Sequence, residues 1–444
     1  MKKYSRISSR FREQLRHELQ SWQADGIINT DQSAAISQRY KLDQTARETS
    51  NILLFAIYII GSVLVAAGVI SFVAAHWDMI TPSLKVALIV AFMLVCHIAG
   101  FYLWKISAKS PRLGHALIVL GTLVFGANIG LLAQIFHIKA NFYNGLFAWA
   151  IGAIVMAYAL ESIPNAVIAI IVSFIAFCGW LDDYPHTLCY YTFVAAAAFL
   201  PFACLRRSVL TFALSLLAIG ISVIVCAGLD TEQFSAFLLA TAGVGLFYFG
   251  LGLLVNLSVN FKAFAGPAMV LGTVLTAFNA YFFSFRELAE EIPLDPMDSW
   301  MWTVPVASAY IIAAMFWAYT FRSAMANRRL RFISISVLVS AVLAASVPLS
   351  TYLTGGYHLF HVILFNILSL VLAVGLTAAG FVALDRRLFW TGILFTALII
   401  TSRFLEYETD LLLKAAVFTA CGISLILAGV GFEGYLKKRR LTNE

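Results

Sequence analysis

From residue 51 to residue 436 the chain is a succession of apolar runs separated by short links that hold most of the charge. A run must reach about 20 residues to cross ~30 Å of hydrocarbon as a helix. Fourteen runs approach or meet that length, near 51–75, 82–104, 116–136, 146–160, 165–181, 190–205, 209–228, 234–256, 263–285, 301–321, 332–353, 359–384, 388–404 and 412–436. The pattern predicts an all-α fold, a polytopic transmembrane helix bundle of about 14 spans. The breaks at Glu161 to Pro164 and at Arg206-Arg207 are the least marked. Proline at positions 201, 267, 305 and 348 is expected to interrupt helices and free carbonyl groups.

The polar segment 1–50 has a different period. Phe11, Leu15, Leu19 and Trp22 form one stripe of a helix over Ser9 to Gln23, Asp25-Gly26 breaks it, and Thr30-Asp31 caps a second helix through Tyr40. The domain reading is therefore a cytoplasmic helical hairpin over 1–50, a membrane bundle over 51–436 and a basic tail over 437–444. The polar start has no short apolar signal region, so the first membrane helix is expected to target the chain.

Charge gives a test that is independent of hydropathy, because Lys and Arg stay on the cytoplasmic side of short loops. With fourteen spans and the N-terminus inside, 25 of the 30 basic residues fall on the inner side. The exceptions are Lys85, Lys139, Arg286, Arg403 and Lys414. Loss of one span would reverse every later loop and spoil this partition. The expected location is the bacterial inner membrane, multi-pass, with both termini cytoplasmic.

Composition agrees: 61% of the 444 residues are hydrophobic and 12% charged, more apolar area than one soluble core can hide. The formal charge of +7 is a topology signal with some attraction to anionic membrane lipids, not a footprint for nucleic acid. The six cysteines lie in or beside apolar runs without a close-spaced pair, which reads as packing rather than zinc or disulfide chemistry.

No Asp, Glu, Lys or Arg falls near the middle of any span, so the proton-exchanging carboxylate usual in driven carriers is missing. His97 is the one ionisable side chain well inside the hydrocarbon. The candidates for a midplane cavity are therefore neutral: Asn128, Gln134, Asn279, Thr122, Thr273 and Asn366, with His97. Asn128 and Gln134 are expected to face protein or a wet cavity, and Gly121, Gly126 and Gly130 carry the small-x-x-x-small spacing of close helix contact. Leu120-Gly121-Thr122 with Asn128 recurs as Leu271-Gly272-Thr273 with Asn279, a possible internal repeat.

The outer side collects a second group: His76, Asp78, His137, His358, His361, Arg403 and Glu406. His358 and His361, three apart, can share a helix face, but no His-Glu-x-x-His framework surrounds them, and neither a metal nor another cofactor is expected. Absent also are a Gly-x-x-x-x-Gly-Lys-Ser/Thr loop, a Gly-x-Ser-x-Gly elbow and paired intramembrane aspartates, which excludes P-loop ATPases, elbow hydrolases and aspartyl intramembrane proteases.

Leu19, Trp22, Gly26, Ile27, Ile28, Gln32, Ile36 and Tyr40, followed by His76-Trp77-Asp78 with Pro82 and Lys85 and by Gln134-Ile135-Phe136-His137, resemble the start of an uncharacterised bacterial family of predicted membrane proteins (domain of unknown function twenty-one fifty-seven). The resemblance implies membrane location and no established chemistry. The leading expectation is a carrier, free of ATP hydrolysis, for a small or lipid-like solute. The rivals are a membrane scaffold or sensor that docks a protein partner through Trp22, Gly26 and Ile27, and an outer-face enzyme acting on a lipid-linked substrate.

Overall fold

The structure is a computed structural model that describes residues 15, 18–19, 21–23, 25–40, 80–107, 110–181, 183–184, 187–230, 234–287, 300–354, 359–406 and 410–441. The expected span at 51–75 lies outside the described residues. The chain divides into two compact units, residues 1–88 and 89–444.

In the first unit a helical stretch ends at Gln23, and Gly26 closes it with φ +72°. The Ile27 N–H donates back to the Trp22 carbonyl at 2.9 Å, the bond that seals a helix end through a left-handed residue. Helix α1 (Thr30–Tyr40) follows. Its cap is Asn29 rather than the expected Thr30-Asp31: Asn29 Oδ1 accepts from the Gln32 N–H at 2.8 Å while Gln32 Oε1 accepts from the Asn29 N–H at 3.0 Å. The sequence offers three candidate caps in a row, and the reciprocal bond selects the one with Gln three residues on.

The second unit takes up α2 (Pro82–Phe101, extended by a π-helical turn over Tyr102–Ile106) from Ile89 onward. Then come α3 (Pro111–Ile135), α4 (Phe142–Leu160), α5 (Ile163–Trp180), α6 (Thr187–Arg206), α7 (Val209–Asp230) and α8 (Phe234–Asn256). The series closes with α9 (Lys262–Phe282), α10 (Trp300–Ala326), α11 (Arg328–Thr354), α12 (Leu359–Ala383), α13 (Arg386–Glu406) and α14 (Leu411–Leu441). These helices coincide in order with the apolar runs expected from residue 82 onward, and no strand occurs among the described residues. Eleven of them are long and apolar enough to cross a membrane, and α6 adds a shorter apolar stretch, Tyr190–Arg206. The protein is thus a multi-pass helical membrane protein. The basic residues from Lys437 ride on the last turns of α14, not on a separate tail.

The two least marked breaks are real, and they share one device. Glu161 (φ 55°), Arg207 (φ 48°), Leu384 (φ 55°) and, after α3, His137 (φ 50°) adopt the left-handed conformation. In each case the next residue's N–H reaches back five positions: Ser162 to Ala157 (2.9 Å), Ser208 to Ala203 (3.0 Å), Asp385 to Gly380 (2.9 Å) and Ile138 to Ala133 (2.9 Å). A helix end of this kind usually carries glycine, so hydropathy alone marks these stops weakly. The prolines, in contrast, do not interrupt their helices: α6 runs through Pro201 and α9 through Pro267, and positions 305 and 348 lie within α10 and α11. A proline forfeits one N–H, and neighbouring helices and local adjustment absorb the loss inside a bundle.

Two-thirds of the apolar stretch of α8 is buried, against none of that of α14. The core accordingly sits around α8, where Leu238, Phe249, Trp317, Val337, Phe365 and Leu372 bring α8, α10, α11 and α12 together. Small residues let backbones approach there. A Cβ on Gly272 would meet the Phe249 nitrogen at 2.5 Å and the Gly245 carbonyl at 2.7 Å. Helices in lipid have no hydrophobic drive to associate, so this close van der Waals contact supplies much of the attraction. Cys226 departs from the expected pattern in being disulfide-bonded, whereas Cys96, Cys178, Cys204 and Cys421 are free. A disulfide joins residues near in space, and cysteine spacing along a membrane chain does not reveal it.

Gly272→Ala is expected to destabilise the detergent-solubilised protein by about 1–3 kcal/mol, since the obstructing atoms are backbone. Gly130→Ala, with nothing within 4 Å, is expected to leave the melting temperature unchanged or slightly raised. Equal melting shifts for the two variants would refute this account of the α8–α9 seam.

Candidate functional site

The three asparagines nominated for a midplane cavity are engaged in the joints between helices, whereas the threonines bond their own helices and Gln134 is exposed. Asn128, buried on α3, donates through Nδ2 to the Ile89 carbonyl of α2 at 3.3 Å. Asn279, buried on α9, donates to the Leu238 carbonyl of α8 at 3.0 Å and to Thr241 Oγ1 at 2.5 Å. Asn366 on α12 donates to the Ser284 carbonyl at 3.0 Å and to the Val362 carbonyl of its own helix at 2.9 Å. Thr122 and Thr273 return their hydroxyls to carbonyls four residues earlier, Ile118 at 3.2 Å and Met269 at 2.8 Å. Gln134 is exposed rather than turned toward protein, because it lies in the last turn of α3, near the helix end closed by His137. At a helix end the side chain meets the polar boundary of a bilayer, and the penalty that motivated the expectation lapses.

His97 donates from Nδ1 to the Met93 carbonyl at 3.0 Å, and its ring occupies the space above Gly121, where a Cβ would stand 2.5 Å from the ring. Gly126 receives the Trp149 indole instead, whose Nε1 donates to the Thr122 carbonyl at 2.9 Å, and Gly130 receives nothing. The three glycines are thus not one contact stripe. Two are sockets for rings from α2 and α4, and direct backbone approach between α2 and α3 occurs at Gly100 and Gly114, with 2.8 Å from a Gly100 Cβ to the Gly114 carbonyl. Asn128 and Asn279 play the same part, each on the second helix of an antiparallel pair and each bonded to the main chain of the first.

Of the outer group, His76, Asp78 and His358 lie outside the described residues. His137 is exposed and serves as the left-handed end of α3. His361 is not on a solvated rim: it is fully buried, with Nε2 2.9 Å from Ser350 Oγ of α11, because its helix begins two residues earlier and turns that face inward. Among the described residues no group of three His, Cys, Asp or Glu side chains is placed to hold a metal ion.

Arg403 and Glu406 do converge. The Arg403 guanidinium donates to the Ser284 carbonyl at 2.6 Å, to Ser284 Oγ at 3.1 Å and to the Glu406 carboxylate, and lies 4.0 Å from the Phe285 ring centre. Glu406 also accepts from the Arg286 N–H. The side chains are only 14% and 5% exposed, so this is a buried ion pair that ties the end of α9 to α13, with Asn366 of α12 on the same Ser284 carbonyl. Spacing i,i+3 makes the pair visible in sequence. Ser284, the acceptor that joins three helices, carries no such signal.

Other contacts join residues that spacing along the chain does not pair. His115 Nε2 lies 2.8 Å from Ser162 Oγ, its ring stacked on Trp104 at 4.4 Å. Asp183 accepts from Tyr143 at 2.6 Å and Asn141 at 2.7 Å. Arg206 pairs with Glu161 at 2.5 Å.

All-helical architecture, apolar spans and interhelical amide bonds define the class: an integral multi-pass membrane protein. Within it, residues 20–165, roughly a third of the chain, match the family described as Predicted membrane protein (DUF2157). That stretch contains Trp22, Gly26 and Gln134 to His137, which carried the resemblance. No curated protein and no solved structure matches the chain.

Removing one member of the buried pair, Glu406→Gln, is expected to cost about 3–5 kcal/mol in thermal or denaturant unfolding in detergent. Replacing both, Arg403→Met with Glu406→Met, is expected to cost less than the single change, since no charge is then left unpaired. A double variant that is less stable than Glu406→Gln would argue that the pair does more than join helices.

Proposed function

We propose that the protein is a membrane scaffold or sensor of the bacterial inner membrane, with fourteen spans and both termini cytoplasmic, in which the bundle holds the N-terminal helix-turn-helix segment at the membrane for a protein partner. The observation that carries this reading is the state of the asparagine and threonine side chains nominated for a carrier's cavity. Asn128, Asn279 and Asn366 donate to main-chain carbonyls, and Thr122 and Thr273 to their own helices. A solute at the midplane would have to break these bonds in a medium that offers no water in exchange. The turn supports a docking role: Ile27, apolar, is 68% exposed directly after Gly26, and Trp22 beside it is half-buried. A large apolar side chain held out by a fixed turn suits a protein partner.

The partition of 25 basic residues to one side supports the topology. Cysteine substitutions in the Arg322 to Arg331 link are expected to resist a membrane-impermeant thiol reagent in intact cells and to react after lysis. Labelling in intact cells would overturn the orientation.

For function, deletion of residues 1 to 45 or the single change Ile27→Asp is expected to abolish a cross-linked partner captured by the full-length protein, with the bundle still inserted. Asn128→Leu with Asn279→Leu is expected to leave solute flux in vesicles unchanged and to lower stability by ~0.6 kcal/mol per amide. A flux that falls in the double variant would favour the carrier instead.

A further inference from the structure

The inner ends of α6 to α10 enclose a feature that the scaffold reading does not use. An apolar groove of about 540 Å³ is lined by Cys204 of α6, Phe212 of α7, Leu251 and Val255 of α8, Phe264 of α9 and Tyr319 of α10. Its base is firm: Phe212 and Phe264 stack with centroids 4.5 Å apart, and Tyr248 behind them is buried and donates to the Leu216 carbonyl at 2.6 Å. Its mouth is open, with Tyr319 73% and Leu257 44% exposed. The link after α8 carries Val259, 95% exposed, so apolar side chains continue past the groove toward the membrane boundary.

Three charged residues that follow or fall between the lining residues in sequence are basic. Arg207 lies between the lining residues Cys204 and Phe212, Lys262 between Phe261 and Phe264, and Arg322 one turn beyond Tyr319. All three are exposed. The acids are placed elsewhere: Glu161 is taken by Arg206 at 2.5 Å, and Asp230 sits at the opposite end of α7. An apolar trough with a cationic rim has the chemistry of a two-part ligand, hydrocarbon below and anion above. We infer that this groove is a specific site for an anionic phospholipid, one acyl chain lying along Phe212, Leu251 and Phe264 and the phosphate-bearing head group held by Arg207, Lys262 and Arg322. On the topology proposed above this is the cytoplasmic leaflet, and the site itself does not depend on the scaffold role.

The selectivity is electrostatic and the retention is apolar, so separate substitutions address the two. A basic residue near a membrane surface contributes a factor of roughly fivefold toward anionic lipid. The full-length protein, delipidated in a neutral detergent and offered phosphatidylglycerol or phosphatidylcholine of identical chains, is examined by native mass spectrometry. The wild type is expected to retain one phosphatidylglycerol in clear preference. Lys262→Gln is expected to lower that preference roughly fivefold, and Arg207→Gln with Lys262→Gln and Arg322→Gln to bring it to parity. Leu251→Trp, which fills the trough and leaves the rim intact, is expected to lose retention of both lipids, with Leu254→Phe as a milder filling. Size-exclusion profile and melting temperature establish that each variant is folded. Equal retention of the two lipids by the wild type, a preference that survives the triple change, or undiminished retention by the folded groove-filled variants would each overturn the proposal.

Discussion

The amides of Asn128, Asn279 and Asn366 answer to a solvent that cannot hydrogen-bond, and that constraint orders the helix joints they make. Asn279 shows its form most fully. It spans from α9 to the Leu238 carbonyl and Thr241 hydroxyl of α8, while Gly272 and Gly245 let the same two helices touch backbone to backbone. Each contribution is modest, since interhelical amide bonds in membranes average about 0.6 kcal/mol. Together they set register, because sliding by one turn would strand the amide and press a side chain into the glycine socket. Asn128 with Gly100 and Gly114 repeats the arrangement between α2 and α3.

The spans were readable because length and hydrophobicity are imposed by the bilayer, independent of tertiary detail. The helix breaks at Glu161 and Arg207 were readable only from charge, since their left-handed caps use residues that ordinarily avoid that conformation. Residue type also marked the polar side chains that matter, Asn128, Asn279, Asn366, Arg403 and Glu406. Their partners were hidden because nearly all are main-chain carbonyls, which every residue possesses. His361 illustrates the limit: the span topology placed it on an outer rim, whereas the inward face of α12 and Ser350 of α11 hold it fully buried.

Polar groups in this chain divide by depth into two kinds of work. Within the helices they are neutral: Asn128, Asn279 and Asn366 bond main-chain carbonyls, while Ser340 and Ser369 are buried with no hydrogen-bond partner. Toward the ends they are charged, and there they either bind the bundle to itself, as Arg403 does with Glu406 and Ser284, or stay exposed, as Arg207, Lys262 and Arg322 do. On the readings proposed above, interaction with other molecules is concentrated at the helix ends and in the polar N-terminal segment, and the bundle serves as support.

The left-handed stops carry a mechanical consequence. Connections of two residues, 161–162, 207–208 and 384–385, join α4 to α5, α6 to α7 and α12 to α13, each clamped by a bond reaching back into the helix before it. Such couples have no slack: one member cannot rotate or translate without carrying the other. Within these three pairs, a rearrangement must therefore displace both helices together.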